Sequence, residues 1–215
     1  TAPATFGGNN FSKWQKNGVD LTTDASATVM MDADYTLTAV YSGSSGGPSL
    51  LTNGSFESGF TAWTTTGNVE IQEGSPYVAT DGIKLASFND VNSTPNGTVS
   101  QSFATTPGAT YTLEFDAGVL SYNTASQKLQ VNVNGTASLL SQLITITRSS
   151  GSNSLWLPQT FSFVANSATT TLTFTDASTT TVGLDLVLDN VRVYLNSAVP
   201  VLQTLTVNAT PVEAA

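Results

Sequence analysis

The chain of 215 residues contains no cysteine and no histidine. Those two absences remove Cys/His zinc sites, thiol nucleophiles, Ser-His-Asp triads and imidazole general bases. Without cysteine there are no disulfides either, which fits a bacterial surface protein that depends on metal for its stapling. Basic side chains are scarce: six Lys and Arg stand against fifteen Asp and Glu, a formal charge of -9. Phosphate backbones are met by a basic stripe, so nucleic acid is not an expected partner. No apolar run approaches the ~20 residues of a membrane helix, and no membrane insertion is expected. No signal peptide is visible, so Thr1 reads as an internal or processed start, with any targeting segment outside this sequence.

What the chain does have is period-two alternation. Val99–Phe103, Thr110–Phe115, Leu129–Val133, Gln159–Val164, Thr171–Phe174 and Leu186–Tyr194 each alternate apolar with polar residues. Gly, Pro, Asn and Ser clusters such as Thr106-Pro107-Gly108 and Asn134-Gly135 bound them. Helical periodicity is nearly absent. Ala137 to Ile146 carries Leu139, Leu140, Leu143 and Ile144, which suits one or two helical turns or a strand pair. The expected fold class is all-β, an antiparallel β-sandwich, with a small β unit beside it. The divisions are 1–41 for the small unit, 42–49 for a Gly/Ser linker, 50–196 for the main domain and 197–215 for a further strand region. Some 40 residues give the small unit a thin core, marginal by itself.

Two segments stand out inside the main domain. Asn53-Gly54-Ser55-Phe56-Glu57 lies where it opens, and Leu188-Asp189-Asn190-Val191-Arg192 where it closes. If the two ends of one sandwich lie side by side, Glu57 and Asp189 meet over a hard cation. The alternative is a pair of ordinary strand-end charges with Lys84 or Arg192 as ion-pair partners. Asn53 is read as the organiser of its turn and not as a metal ligand.

Two resemblances follow from these residues. Phe11-Ser12-Lys13-Trp14 with Val29-Met30-Met31-Asp32-Ala33-Asp34-Tyr35-Thr36-Leu37-Thr38-Ala39-Val40-Tyr41 resembles the second half of an internalin-B-type bacterial repeat. The Leu-Thr-Val opening strand of such a repeat stands instead at 204–208. Either the chain is cut across a tandem array, or the late strand completes the early half-repeat, in the chain or from a neighbour. Residues 50–196 resemble the galactose-binding-like jelly rolls of carbohydrate-binding module families 4, 9, 16 and 22, and most of all the domain-of-unknown-function family 642. Thr52-Asn53-Gly54-Ser55-Phe56-Glu57, Trp63, Ala79-Thr80-Asp81-Gly82, Gly97–Phe103, Thr106–Asp116, Phe161–Ala165 and Leu188-Asp189-Asn190-Val191 carry this likeness in order and spacing.

That resemblance implies an extracellular, non-catalytic, sugar-binding jelly roll (galactose-binding-like) with a structural Ca²⁺. The implied metal ligands are the Glu57 and Asp189 carboxylates with main-chain oxygens of Ser55, Lys84 and Asp189. Calcium favours six to eight such hard oxygens. For a glycan the expectation is an aromatic groove flanked by amide and charged groups, made by Tyr122, Gln130, Arg148 and Trp156. Trp14 and Trp63 are read as core, while Trp156 is open between core and surface. Tyr77 is a second loop aromatic.

An enzyme is not expected. Glu70, Glu73, Asp90, Glu114, Asp116 and Asp185 could supply paired carboxylates, but none sits in an acid/base motif. The leading reading is a polysaccharide- or cell-wall-glycan-binding module of a bacterial extracellular or cell-surface repeat protein. The alternative is a spacer or adhesin repeat that builds a stalk or filament, with self-association through residues 1–41 and 197–215.

Overall fold

A computed structural model describes residues 1–6, 9–30, 32–42, 48–88, 97–122, 124–148, 154–179, 182–196 and 201–207. Of residues 5, 6, 9, 10, 42 and 201–207 only the backbone is described. Every regular element among the described residues is a strand, and all pair antiparallel, as the alternation demands. Two units form: Thr1–Pro48 with Asn196–Ala215, and Ser49–Leu195.

The smaller unit is one sheet of β1 (Thr5–Phe6), β2 (Asn9–Lys16), β3 (Val19–Thr22), β4 (Tyr35–Ser42) and β15 (Val201–Val207). Its order is β1-β2-β4-β15, with β3 paired to β2. Asn17 and Gly18 take positive φ between β2 and β3, the backbone a two-residue hairpin turn needs. Trp14 is core, packed with Ala2, Ala39 and Tyr41, and its Nε1 donates to the Ala25 carbonyl at 3.1 Å. The late strand finds its partner earlier in the chain: Val201 stands opposite Tyr41 and Val207 opposite Tyr35. That is the in-chain completion of the small sheet. Residues 197–200 and 208–215, Met31 and linker residues 43–47 lie outside the described residues.

The larger unit is a sandwich of two five-stranded sheets. One sheet has the order β11-β10-β13-β8-β5: Ser138–Arg148, Ala125–Asn134, Thr169–Asp176, Thr98–Ala104 and Thr64–Thr66. The other has the order β12-β9-β14-β7-β6: Leu155–Val164, Thr110–Ser121, Leu184–Leu195, Lys84–Phe88 and Val69–Glu73. They are called here the first and second sheets. Of residues 137–146, ambiguous in sequence, all from Ser138 on are strand. Paired along β10, their Leu140 and Ile144 face the core beside Val133 and Leu129. Phe115 of the second sheet meets Phe174 of the first edge to face at 5.0 Å. Burial of such apolar area contributes ~25 cal/mol per Å² and drives the two layers together.

The opening segment is stitched to the closing strand. Val191 donates to the Gly54 carbonyl at 2.9 Å, and Leu50 to the Val193 carbonyl at 2.8 Å. Gln101, buried on the inner face, pairs both ways with Thr52: its amide nitrogen donates to the carbonyl at 3.0 Å and its oxygen accepts from the amide at 2.8 Å. Asn53 organises the turn as expected, donating to Gly59 and Thr61 carbonyls and accepting from the Ser58 amide. Trp63 donates to the Asn53 carbonyl at 2.9 Å and packs on the fully buried Phe56 at 5.3 Å, so it is core.

A side chain at Gly54 would overlap the Val191 carbonyl oxygen, which is backbone and has no room to yield. Gly54→Ala is expected to cost about 2–4 kcal/mol in denaturant unfolding. A loss below ~0.5 kcal/mol would mean that the opening and closing segments are not held this closely.

Candidate functional site

The functional geometry is built on residues 74–84, a strap laid over the outer face of the second sheet. Four side chains from the sheet and the opening turn fasten it. Asp189 Oδ2 accepts from the Thr80 amide at 2.7 Å, the Thr80 hydroxyl at 3.1 Å and the Asp81 amide at 2.9 Å. Glu57 Oε1 accepts from the Ile83 and Lys84 amides at 2.8 and 2.7 Å. Tyr77 donates to Asp185 Oδ2 at 2.9 Å, and Trp156 Nε1 donates to the Val78 carbonyl at 2.7 Å. Gly82 has φ +79°, and any Cβ there would overlap the Glu57 carboxylate. Glycine is what lets the strap reach that acid.

Glu57 and Asp189, distant in sequence, therefore serve one five-residue segment, 80–84. Asp189 is fully buried in β14, where Asn190 at φ 55° makes a bulge. Its Oδ1 accepts from the Asn190 amide at 2.7 Å, and the Asn190 side chain donates to Asp116 at 3.0 Å. Burial pushes the Asp189 carboxyl up to about 6 despite these donors. Neither expected ion-pair partner neutralises it. Arg192 pairs with Glu114 at 3.6 Å, and Lys84 Nζ reaches the main-chain oxygen of Glu57 at 3.3 Å. A buried carboxylate served by amides and lacking a cationic side chain is chemistry that a hard cation completes. Asp189 Oδ2 and Glu57 Oε1 are themselves taken up by donors of the strap, and the expected calcium set of Ser55, Glu57, Lys84 and Asp189 rests on the sequence likeness. Among the described residues there is no group of three or more acidic side chains that would hold a metal by themselves.

The four side chains expected to line a groove do not come together. Trp156 pairs across from Gly118, and its ring lies on that glycine: a Cβ on Gly118 would be 2.7 Å from Cε3. The neighbours Ala117 and Val119 face the core, so Trp156 and Gly118 are on the outer face of the second sheet. Gln130 sits between core residues Leu129 and Val131, on the outer face of the first sheet, and donates to Asn132 at 3.2 Å and Ser141 at 3.1 Å. Arg148 is buried between the sheets, donating to the Val119 carbonyl at 3.4 Å. Strand parity thus sends Gln130, Arg148 and Trp156 to three different places. Tyr122, 59% exposed at the end of β9, stays near Trp156's strap.

What does assemble is a corner of Tyr77, Tyr122, Trp156 and Asp185 at the start of the strap. Tyr122 acts electrostatically on Tyr77, whose hydroxyl titrates upward through burial and then through its bond to Asp185. Burial also raises Asp185. The sequence offered Tyr77 only as a loop aromatic and Asp185 only as a spare acid. A glycine at 118, inside a long strand, was the available sign that a ring lies across the sheet there. Of the other carboxylates considered for catalysis, Glu114 is engaged with Arg192, Asp116 with Asn190 and Glu70 with Gln72, while Glu73 is exposed at the end of β6. Asp90 lies outside the described residues.

The family described as "Protein of unknown function (DUF642)" matches residues 57–194. No curated protein matches the sequence. Among solved structures, TmCBM61 in complex with beta-1,4-galactotriose is similar at 15% identity and TM-score 0.51, covering 69% of this chain and 99% of that one. The N-terminal CBM22-1–CBM22-2 tandem domain from Paenibacillus barcinonensis Xyn10C is similar at 16% identity and TM-score 0.50, covering 72% of this chain and 48% of that one. At such identities the likeness is one of fold.

Asp189 also gives the site a pH signature. Its ordinary value is 3.8 and its folded value about 6, so the fold holds this proton more tightly than the unfolded chain does. In chelated buffer the contribution is fully present below about pH 4 and is lost as pH rises through about 6. Asp185 and Asp176, also raised by burial, act in the same direction. Stability measured by denaturant titration is expected to fall across that window, and Asp189→Asn is expected to flatten much of the fall. A stability that instead rises steadily from pH 4 to 6, in wild type and variant alike, would count against the buried, unneutralised acid.

Proposed function

The chain belongs to the DUF642 family, and from that premise we propose that its larger unit is a non-catalytic, extracellular glycan-binding module carrying a structural calcium ion. The observation behind this reading is the corner at the head of the strap. Tyr122 is exposed, Tyr77 is held upright by Asp185, and Trp156 pins the intervening backbone. Sugar rings present C–H faces to aromatic planes and hydroxyls to carboxylates, and this corner offers both. The similar fold of a module solved with a bound galactotriose supports the class of ligand. Calcium held by Glu57, Asp189 and the carbonyls of Ser55 and Lys84 would supply the positive charge that the buried Asp189 lacks. A bacterial cell surface is the setting proposed, in keeping with the cysteine-free, acidic composition.

A second reading has its own observation. The small unit is a five-stranded sheet in which β15, from the far end of the chain, pairs along β4. Such a unit suits a spacer or adhesin repeat in which the jelly roll adds length and no glycan is bound.

Affinity gels and calorimetry with soluble galactan and xylan separate the two. Tyr122→Ala is expected to weaken binding about tenfold or more with an unchanged melting temperature. A wild-type protein that ignores a broad panel of neutral polysaccharides favours the spacer. Calcium is tested apart from this. At a hundred times its dissociation constant it is expected to stabilise the fold by about 2.7 kcal/mol. Glu57→Gln and Asp189→Asn are expected to abolish that gain, whereas Tyr122→Ala keeps it. A melt indifferent to chelator would remove the ion from the proposal.

A further inference from the structure

The four edges of the sandwich are not equally protected. In the first sheet, β5 is only Thr64–Thr66, too short to template another strand. In the second sheet, β6 carries Glu70 and Glu73, and β12 carries Pro158 at its centre. Short length, charge and proline are the usual guards of a sheet edge. The remaining edge, β11, has none of them. Ser138-Leu139-Leu140-Ser141-Gln142-Leu143-Ile144-Thr145-Ile146-Thr147 runs without charge, proline or glycine until Arg148 closes the strand. Among the described residues it pairs with β10 alone, on one side.

The packing beneath this strand is also incomplete. Leu139, Leu140 and Ile144 touch the core but remain only partly buried, and Leu143 is 54% exposed on the outer face. Gln142 shares the inner parity of Leu140 and Ile144 yet is exposed. An added strand would pair the free backbone groups and cover the half-buried side chains together.

We propose that the β11 edge is a self-association surface, with a second copy of this chain pairing antiparallel through its own β11 to give a continuous ten-stranded sheet. The edge is self-complementary. A dyad at Gln142 sets Gln142 opposite Gln142, and places Leu140 of each copy opposite Ile144 of the other. On the outer face, Ser141 then meets Leu143. All these pairs keep inner residues with inner and outer with outer, as strand parity requires. The bulge at Leu139, where Val133 pairs with Leu140 but Asn134 with Ser138, limits the parity-matched overlap to Leu140–Ile144; Arg148 lies beyond it, so no like charges are brought opposite one another. An isologous contact of this kind closes at two copies. It is independent of the glycan reading and uses none of its residues.

Sedimentation and light scattering over a concentration series test it on the full chain. Wild type is expected to be a dimer at micromolar to submillimolar concentration, with amide-exchange protection at 140–144 that grows with concentration. Gln142→Lys sets two ammonium groups face to face and is expected to weaken the dimer at least tenfold. Gln142→Glu does the same with carboxylates, and an equimolar mixture of the two is expected to restore a heterodimer. Gln142 is exposed, so both variants fold, as unchanged melting of the monomers would verify. A wild type that stays monomeric into the submillimolar range overturns the proposal. So does a dimer indifferent to Gln142→Lys, or an edge that takes up an extended foreign peptide while the chain itself remains monomeric.

Discussion

The constraint on which the larger unit depends is a buried carboxylate that must be satisfied by backbone. Asp189 is fully buried and, among the described residues, no cationic side chain pairs with it, so donors come from Thr80, Asp81 and Asn190. An unsatisfied buried acid costs several kcal/mol, far more than any one of these bonds returns in water. The strap therefore has little choice of path, and a loop that sequence composition would leave free is pinned to β14. The same acid sets the bulge at Asn190, which turns that side chain onto Asp116. Glu57 repeats the device two residues further along the strap. The consequence for function is rigidity at one spot: Tyr77 and Val78 are carried by a segment anchored on both sides, and little ordering entropy is left to lose when a ligand arrives.

Much of this fold can be read from period-two alternation, and the reasons are local. Val99, Gln101 and Phe103 point inward because every second residue must, and Gln101 is tolerated there because Thr52 satisfies both ends of its amide. Trp14 was expected as core from its Phe-x-x-Trp pattern and Trp63 from the jelly-roll resemblance, and both are buried. Asn53 declared itself by its Asn-Gly step. Residues 137–146 were ambiguous because Leu139, Leu140, Leu143 and Ile144 fit both periods. Pairing with β10, a non-local fact, settles them as strand. The glycan groove failed for a related reason. Sequence gives parity within a strand but not which sheet the strand joins, so Gln130 and Trp156 could not be assigned to different sheets before the pairing was known. Asp185 was legible as an acid and illegible as the anchor of Tyr77, since the two are far apart in the chain.

The two outer faces of the sandwich differ in what covers them. On the second sheet, Val187, Ser87 and Gly118 form one cross-strand row beside Trp156, and the first two are buried. Small residues there make room for the strap, and Trp156 closes it. On the first sheet the matching row is Thr64, Ser100, Thr173, Asn132 and Ser141. These hydroxyls and amides bond one another sideways or face water, as Ser102 with Thr171 at 2.8 Å. A face of this kind is solvated without penalty and has no aromatic platform. The one exposed aromatic group among the described residues of the larger unit, Tyr122, stands where the covered face meets its strap, which is why a ligand site is sought there and not on the open sheet.

Edge protection completes the reasoning about what this chain does in company. Proteins that must stay separate place lysine, proline or a bulge on every long edge, since an unguarded strand is a template for any other strand. Here β12 and β6 obey that rule, while β11 has a bulge only at Leu139, near its start, and runs from Leu140 to Thr147 with neither charge nor proline. A departure confined to one edge, joined to half-buried leucines that only another strand would cover, is the pattern of a surface kept open for pairing. Neutrality of the strand fits pairing with itself, because neither copy brings a charge that the other must answer. In a chain with a net charge of -9, such a neutral stretch is also where two copies approach with the least repulsion.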